Sequence, residues 1–256
     1  MQIVIKDASK TFIQNGKEFT ALDKVNLEIE KGEFICLLGP SGCGKSTLLN
    51  AIAGFDLVNH GSIKIDDVEV TRPTDKNVTI FQNYGLLPWR TVEKNVQLGL
   101  ESKKLSKEER KEISDKYIEL VGLDKFKKSH PRQLSGGMQQ RVAIARALVV
   151  DPDILFMDEP FGALDAITRM KLQDDILDIC RKENKTIIFV THDIEEAVYL
   201  ADRIVVMTPN PGKVKSVVKV PLHHFRDRTS GNFLQVRDKI FELFNLKSDT
   251  YIEYNI

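Results

Sequence analysis

The sequence holds no apolar run approaching the ~20 residues that a helix needs to cross a bilayer. Its strongest ones, FICLL at 34–38 and ILFM at 154–157, have the length of buried strands. A helix-spanning membrane chain is not expected, and any membrane association must come through docking to another protein. Net charge is also missing: Lys plus Arg number 37 and Asp plus Glu number 37. No global field then draws the chain to nucleic acid or anionic lipid, and no nucleic-acid partner is expected. The three cysteines, Cys36, Cys43 and Cys180, have neither metal-ligand spacing nor an even disulfide framework, so reduced thiols are expected. The opening MQIVIKDASK lacks a basic region followed by an apolar stretch, which predicts a cytoplasmic chain without a signal peptide. Internal repeats, low-complexity tracts and flexible linkers are absent. His223 and His224 are adjacent, which in a strand turns them to opposite faces and argues against a metal pair. The charged stretch from Lys103 to Lys116 interleaves both signs, as on a solvated helix face.

A chain of 256 residues is long enough for a full core, and one catalytic domain with sublobes is the natural reading. The first third is β-rich: Val25, Leu27 and Ile29 alternate with polar residues and lead into the strand at 34–38. Short strands are predicted at 62–66 and 78–81, and helices over 92–100 and 106–121. Ser135 precedes a helical run that Asp151-Pro152 ends before a strand at 154–158. Alternation then resumes with a helix at 168–183, strand 186–190, helix 193–200 and strand 203–207, a rhythm implying a parallel sheet. After the turn Asn210-Pro211-Gly212, a strand at 213–220 and a closing helix at 230–244 are expected.

Between a buried strand and a helix stands Gly39-Pro40-Ser41-Gly42-Cys43-Gly44-Lys45-Ser46-Thr47, which matches the phosphate-loop pattern in the context it requires. Its glycines let backbone N–H groups turn inward around a β-phosphate, and the helix N-terminus adds positive potential. Lys45 then reaches the β and γ oxygens, and the Ser46 hydroxyl is a ligand for Mg²⁺. A second buried strand ends in Asp158-Glu159, at the edge where a parallel sheet presents its ligand site. The two acids divide the work: Asp158 holds Mg²⁺ through its water shell, and Glu159 orients and deprotonates the attacking water.

Leu134-Ser135-Gly136-Gly137-Met138-Gln139 resembles the signature of the ABC family, and it precedes the acidic strand. That resemblance covers nearly the whole chain. It implies an α/β P-loop NTPase fold with a RecA-like core, an N-terminal antiparallel β region and an inserted α-helical lobe. The core and β region would take about 1–84 and 152–220, the lobe about 85–151, and a C-terminal helical tail about 221–256. ATP with Mg²⁺ would be sandwiched between two copies, the phosphate loop of one facing Ser135, Gly136 and Gly137 of the other. The same resemblance gives Phe12 as the adenine-stacking aromatic, with Phe19 as a competitor. It also gives Gln82 as the glutamine sensing Mg²⁺ and the attacking water, Asp165 in the Ala163-Leu164-Asp165 loop, and His192 as the γ-phosphate switch.

Tyr84-Gly-Leu-Leu-Pro88-Trp89-Arg-Thr-Val with Asn95 resembles ATPases of nitrate, sulfonate and taurine importers, as do Ala201–Met207 and Phe225-Arg-Asp-Arg-Thr. Where that subfamily often has a proline-rich stretch before Arg-Asp-Arg, this chain has Leu222-His-His-Phe. The implied partners are a second ATPase copy, two transmembrane permease subunits and an extracellular solute-binding protein acting through the permease. The chain would then sit at the cytoplasmic face of the membrane. Trp89 would anchor the permease or cover the core of the helical lobe. Two alternatives are an exporter subunit and a soluble ABC switch acting on the ribosome or DNA. The latter commonly has two cassettes, a coiled-coil arm or a zinc insertion, none of which is in this sequence.

Overall fold

The computed structural model describes residues 1–256 apart from Asn15, Gln82, Asn83, Ala163, His224, Phe225 and 245–256. An antiparallel sheet forms from β1 (Ile3–Gln14), β2 (Lys17–Ile29), β4 (His60–Ile65) and β5 (Val68–Glu69), in the order β2-β1-β4-β5. A second sheet runs β10-β9-β3-β8-β7-β6, from Lys213–Lys219, Arg203–Thr208, Phe34–Leu38, Thr186–Thr191 and Ile154–Asp158 to Asn77–Ile80. Its strands are parallel from β9 to β6, and β10 adds antiparallel at the edge.

The side-chain period of two explains why the second sheet forms where it does. Ile35, Leu37, Ile154, Phe156, Ile188, Val190, Val205 and Met207 enter one core cluster, shared with the antiparallel sheet and α1 (Lys45–Ala53). Their alternate neighbours Cys36, Leu38, Leu155, Met157, Ile187, Phe189, Ile204 and Val206 enter the other. That second core is closed by α4 (Gly136–Leu148), α5 (Ala166–Lys182), α6 (Ile194–Leu200) and α7 (Gly231–Leu243). Each inner strand is therefore apolar throughout, and its polar chemistry is left to its ends. The three cysteines are free and buried.

Between β6 and β7 lie α2 (Val92–Gln97), α3 (Lys107–Leu120) and α4. At the start of α3, Ser106 Oγ accepts from the Glu109 N–H at 3.1 Å and Glu109 Oε2 accepts from the Ser106 N–H at 2.7 Å, a reciprocal cap. The predicted helix over 92–100 differs from what forms: α2 stops at Gln97 and Leu98–Leu100 tighten into a 3₁₀ turn. Packing gives the reason, since a Cβ on Gly99 would lie 2.6 Å from Val150 Cγ1 and the chain there closes tightly on α4.

Phe156 is fully buried in the middle of β7, whereas Ile13 is 78% exposed at a strand end. Phe156→Ala is expected to lower the unfolding free energy by about 3–5 kcal/mol, and Ile13→Ala by less than about 0.5 kcal/mol. Urea unfolding followed by circular dichroism measures both.

Candidate functional site at the end of the parallel sheet

β3 ends at Leu38, and residues 39–44 turn the chain into α1, whose first residue is Lys45. Close approach makes this turn glycine-dependent. A Cβ on Gly39 would stand 2.6 Å from Cys43 Sγ and 2.9 Å from the Met207 carbonyl oxygen, and Gly44 has a φ of +88° against Leu22 and Ala21. Pro40 accepts from the Cys43 N–H at 3.3 Å, closing the loop, while Ser41 is exposed and Gly42 has a positive φ. Lys45 is only 5% exposed, and its Nζ donates to the Gly39 carbonyl at 2.7 Å and the Pro40 carbonyl at 3.1 Å. The ammonium is thus held inside the cradle it must serve. Burial pushes the Cys43 thiol up, so it packs as a neutral side chain. Thr47 follows Ser46, half-buried, in the first turn of α1.

Ser46 Oγ donates to Asp158 Oδ1 at 3.0 Å, which ties the phosphate loop to the end of β7. Burial raises the Asp158 carboxyl, and the Ser46 hydroxyl acts in the opposite sense. One residue on, Glu159 has a φ of +43°, a left-handed conformation uncommon for a side chain of its size, and its N–H donates to the Val190 carbonyl at 3.0 Å. Its Oε2 lies 3.3 Å from His192 Nδ1, and the His192 side chain is 61% exposed at the end of β8. Five predicted residues, Lys45, Ser46, Asp158, Glu159 and His192, thus converge where β3, β7 and β8 end.

Other predicted residues stand apart from this group. Ser135 caps α4, its Oγ accepting from the Met138 N–H at 3.3 Å, and Ser135 and Gly136 are exposed. A Cβ on Gly137 would lie 2.6 Å from Thr168 Cγ2, so the start of α4 packs on the start of α5. Among the described residues no hydrogen bond or ion pair links Ser135, Gly136 or Gly137 to the phosphate loop. Asp165 caps α5 by accepting from the Thr168 N–H at 3.0 Å, and that bond holds its carboxyl below the usual range. Phe12 faces Phe19 directly across β1 and β2; both rings are exposed, and Lys10 Nζ lies 5.1 Å from the Phe12 centroid. Gln82 lies outside the described residues.

The chain after Gln82 is held by two side chains. Arg146 donates to the Tyr84 and Gly85 carbonyls at 2.6 Å each. Buried Asn95 accepts from the Leu87 N–H at 2.8 Å and donates to the Leu87, Arg90 and Thr91 carbonyls. The loop so pinned displays Trp89 at 72% exposure. Sequence reasoning also passed over Arg169, Gln173 and Glu196, polar residues on helices that read as solvent-facing; Gln173 and Glu196 are in fact 1% and 6% exposed.

Comparison with known proteins gives the family. The ABC transporter family model matches residues 22–162. An uncharacterised ABC transporter ATP-binding protein of Methanocaldococcus jannaschii is 52% identical over 95% of this chain and 91% of its own length. The aliphatic sulfonates import ATP-binding protein SsuB of Bacillus subtilis is 45% identical over 99% of this chain and 98% of its own. Among solved structures, the dimeric post-hydrolysis state of the ATP-binding cassette MJ0796, bound to ADP and phosphate, superposes with a TM-score of 0.76 at 35% identity. That match covers 86% of this chain and 100% of the cassette. With a phosphate loop, an acidic strand end and a Ser-Gly-Gly helix start exposed at Ser135 and Gly136 in one fold, the chain belongs to the ABC transporter family, as one of its ATP-hydrolysing subunits.

Proposed function

We propose that this chain powers a membrane importer for an aliphatic sulfonate or a similar small solute such as taurine or nitrate, working as a pair of copies with ATP between them. The observation that carries the reading is the split of the site. Lys45, Ser46, Asp158, Glu159 and His192 gather at one sheet end, while the N-terminus of α4 stands exposed on a different element and, among the described residues, makes no hydrogen bond or ion pair to the phosphate loop. A second copy completes the site by bringing Ser135 and the Gly136 and Gly137 N–H groups to the γ-phosphate. The dimeric relatives and the SsuB importers support this pairing and this transport class.

Within each site, the loop Gly39–Thr47 wraps the phosphates, Lys45 pairs with the β and γ oxygens, and Phe12 stacks on the adenine. The Ser46 hydroxyl and Asp158 carboxylate are hard oxygen donors 3.0 Å apart, suited to Mg²⁺. Among the described residues no cluster of three or more acidic, histidine or cysteine ligands stands ready for a metal. Ser46 and Asp158, with Gln82, would hold a Mg²⁺ ion, which when bound would neutralise charge on the nucleotide phosphates. Glu159, beside His192, takes the proton of the attacking water, His192 holds the γ-phosphate, and Asp165 faces the partner copy across the pair.

No helix among the described residues is long and apolar enough to cross a membrane. Translocation then falls to two permease subunits, with an extracellular solute-binding protein delivering the solute to them, and this chain docks peripherally on the cytoplasmic face. Trp89, exposed on a loop fixed by Arg146 and Asn95, is the anchor for that docking.

Replacing Glu159 by Gln keeps the shape and the phosphate contacts but removes the base. ATP turnover is expected to fall by about 10²- to 10³-fold with ATP affinity unchanged, as read by phosphate release and nucleotide titration. Normal turnover would remove Glu159 from that role. Purified from native membranes with Mg-ATP, the same variant is expected to bring a polytopic membrane protein in near-equal amount, and Trp89→Ala to weaken that recovery. Ribosomal or DNA-repair proteins in its place would replace the importer with the soluble switch.

A further inference from the structure

The Arg-Asp-Arg run at 226–228 has no part in the nucleotide site as described, yet both arginines contact α6, the helix that follows His192. Arg226 is 7% exposed, and its Nη1 donates to the carbonyls of Val198 at 2.6 Å, Tyr199 at 3.1 Å and Ala201 at 2.8 Å. A cation thereby caps the C-terminal end of α6, the helix that begins two residues after His192. Asp227 accepts from the Thr229 N–H and hydroxyl, which fixes the turn, and the Arg228 guanidinium stacks 3.8 Å from the Tyr199 ring centroid on the same helix.

Arg228 Nη2 also donates to Gln173 Oε1 at 2.5 Å, and Gln173 Nε2 donates to Glu196 Oε1 at 3.2 Å. A guanidinium on one side and a carboxylate on the other leave the Gln173 amide one orientation in which both bonds form. Glu196 Oε2 accepts from the Thr191 hydroxyl at 2.7 Å, and the same hydroxyl accepts from the Asp193 N–H at 3.0 Å. Thr191 and Asp193 flank His192, whose own exposed side chain lacks the packing to hold it. Arg169 ties in the loop around Asp165: it lies 3.7 Å from both Glu196 and Asp193, and its Nη2 donates to the Leu164 carbonyl at 3.1 Å. Burial raises the Glu196 carboxyl, and the Thr191 hydroxyl and Arg169 act in the opposite sense.

We infer that Arg228 is a positioning residue for hydrolysis, acting through Gln173 and Glu196 to hold the His192 loop in place. The inference rests on the reading of His192 as the group that holds the γ-phosphate. ATP binding depends mainly on the phosphate loop, so loosening this relay should act on the chemical step and spare affinity.

The test is steady-state ATP turnover by the purified full chain, with thermal unfolding measured on the same samples. Arg228→Ala is expected to lower kcat about tenfold, with KM for ATP within about twofold and the unfolding midpoint within about 3 °C. Arg228→Lys, still able to donate to Gln173, is expected to recover at least about half of the lost kcat, and Arg228→Ala in a Gln173→Ala background to add no further loss. Unchanged kcat in Arg228→Ala beside an inactive His192→Ala would overturn the relay and leave His192 its role. Wild-type turnover in His192→Ala would overturn both. A fall in kcat matched by loss of folded protein, or an equal added loss in the Gln173→Ala background, would overturn the relay.

Discussion

The structure depends on a sheet whose inner strands are buried on both faces. With Ile35 and Leu37 in one core and Cys36 and Leu38 in the other, β3 has no side chain free for chemistry, and the same holds for the apolar runs of β7 and β8. Polar function can appear only where those strands stop. Because they are parallel and in register, they stop together, and the phosphate loop, Asp158-Glu159 and His192 emerge side by side. The Ser46–Asp158 hydrogen bond is the local expression of that constraint.

Such a sheet end serves one face of a nucleotide. The capped N-terminus of α4 is exposed and, among the described residues, makes no hydrogen bond or ion pair to the phosphate loop of the same chain, which supports the proposal of a site shared between subunits. Glu159 takes a left-handed conformation beside His192, a strained backbone at the point where β7 ends. The loop after Gln82, pinned by Arg146 and Asn95, presents Trp89 outward.

The parts of this design that run contiguously along the chain were legible in the sequence. A strand, a glycine loop and Lys45-Ser46 are neighbours in the chain, as are Phe156, Asp158 and Glu159. The β1 strand was harder to delimit because bulges between Ile5 and Lys10 and the positive φ of Asp7 break its alternation. The antiparallel attachment of β10 depends on an edge that periodicity does not describe. The relay through Arg169, Gln173, Glu196 and Arg228 was not legible, since bonded partners such as Gln173 and Arg228 lie 55 positions apart and Arg169, Gln173 and Glu196 each fit a polar helix face. The Arg-Asp-Arg run was visible as a family resemblance, but only its contacts with α6 and Gln173 give it a physical role.

In the proposed pairing, one chain carries halves of two different sites. Sedimentation velocity of the Glu159→Gln variant with and without Mg-ATP tests it most directly. A shift from the mass of one copy to that of two is expected on adding ATP, abolished when Ser135→Arg blocks the α4 N-terminus. A single-copy mass with ATP bound to saturation would contradict it.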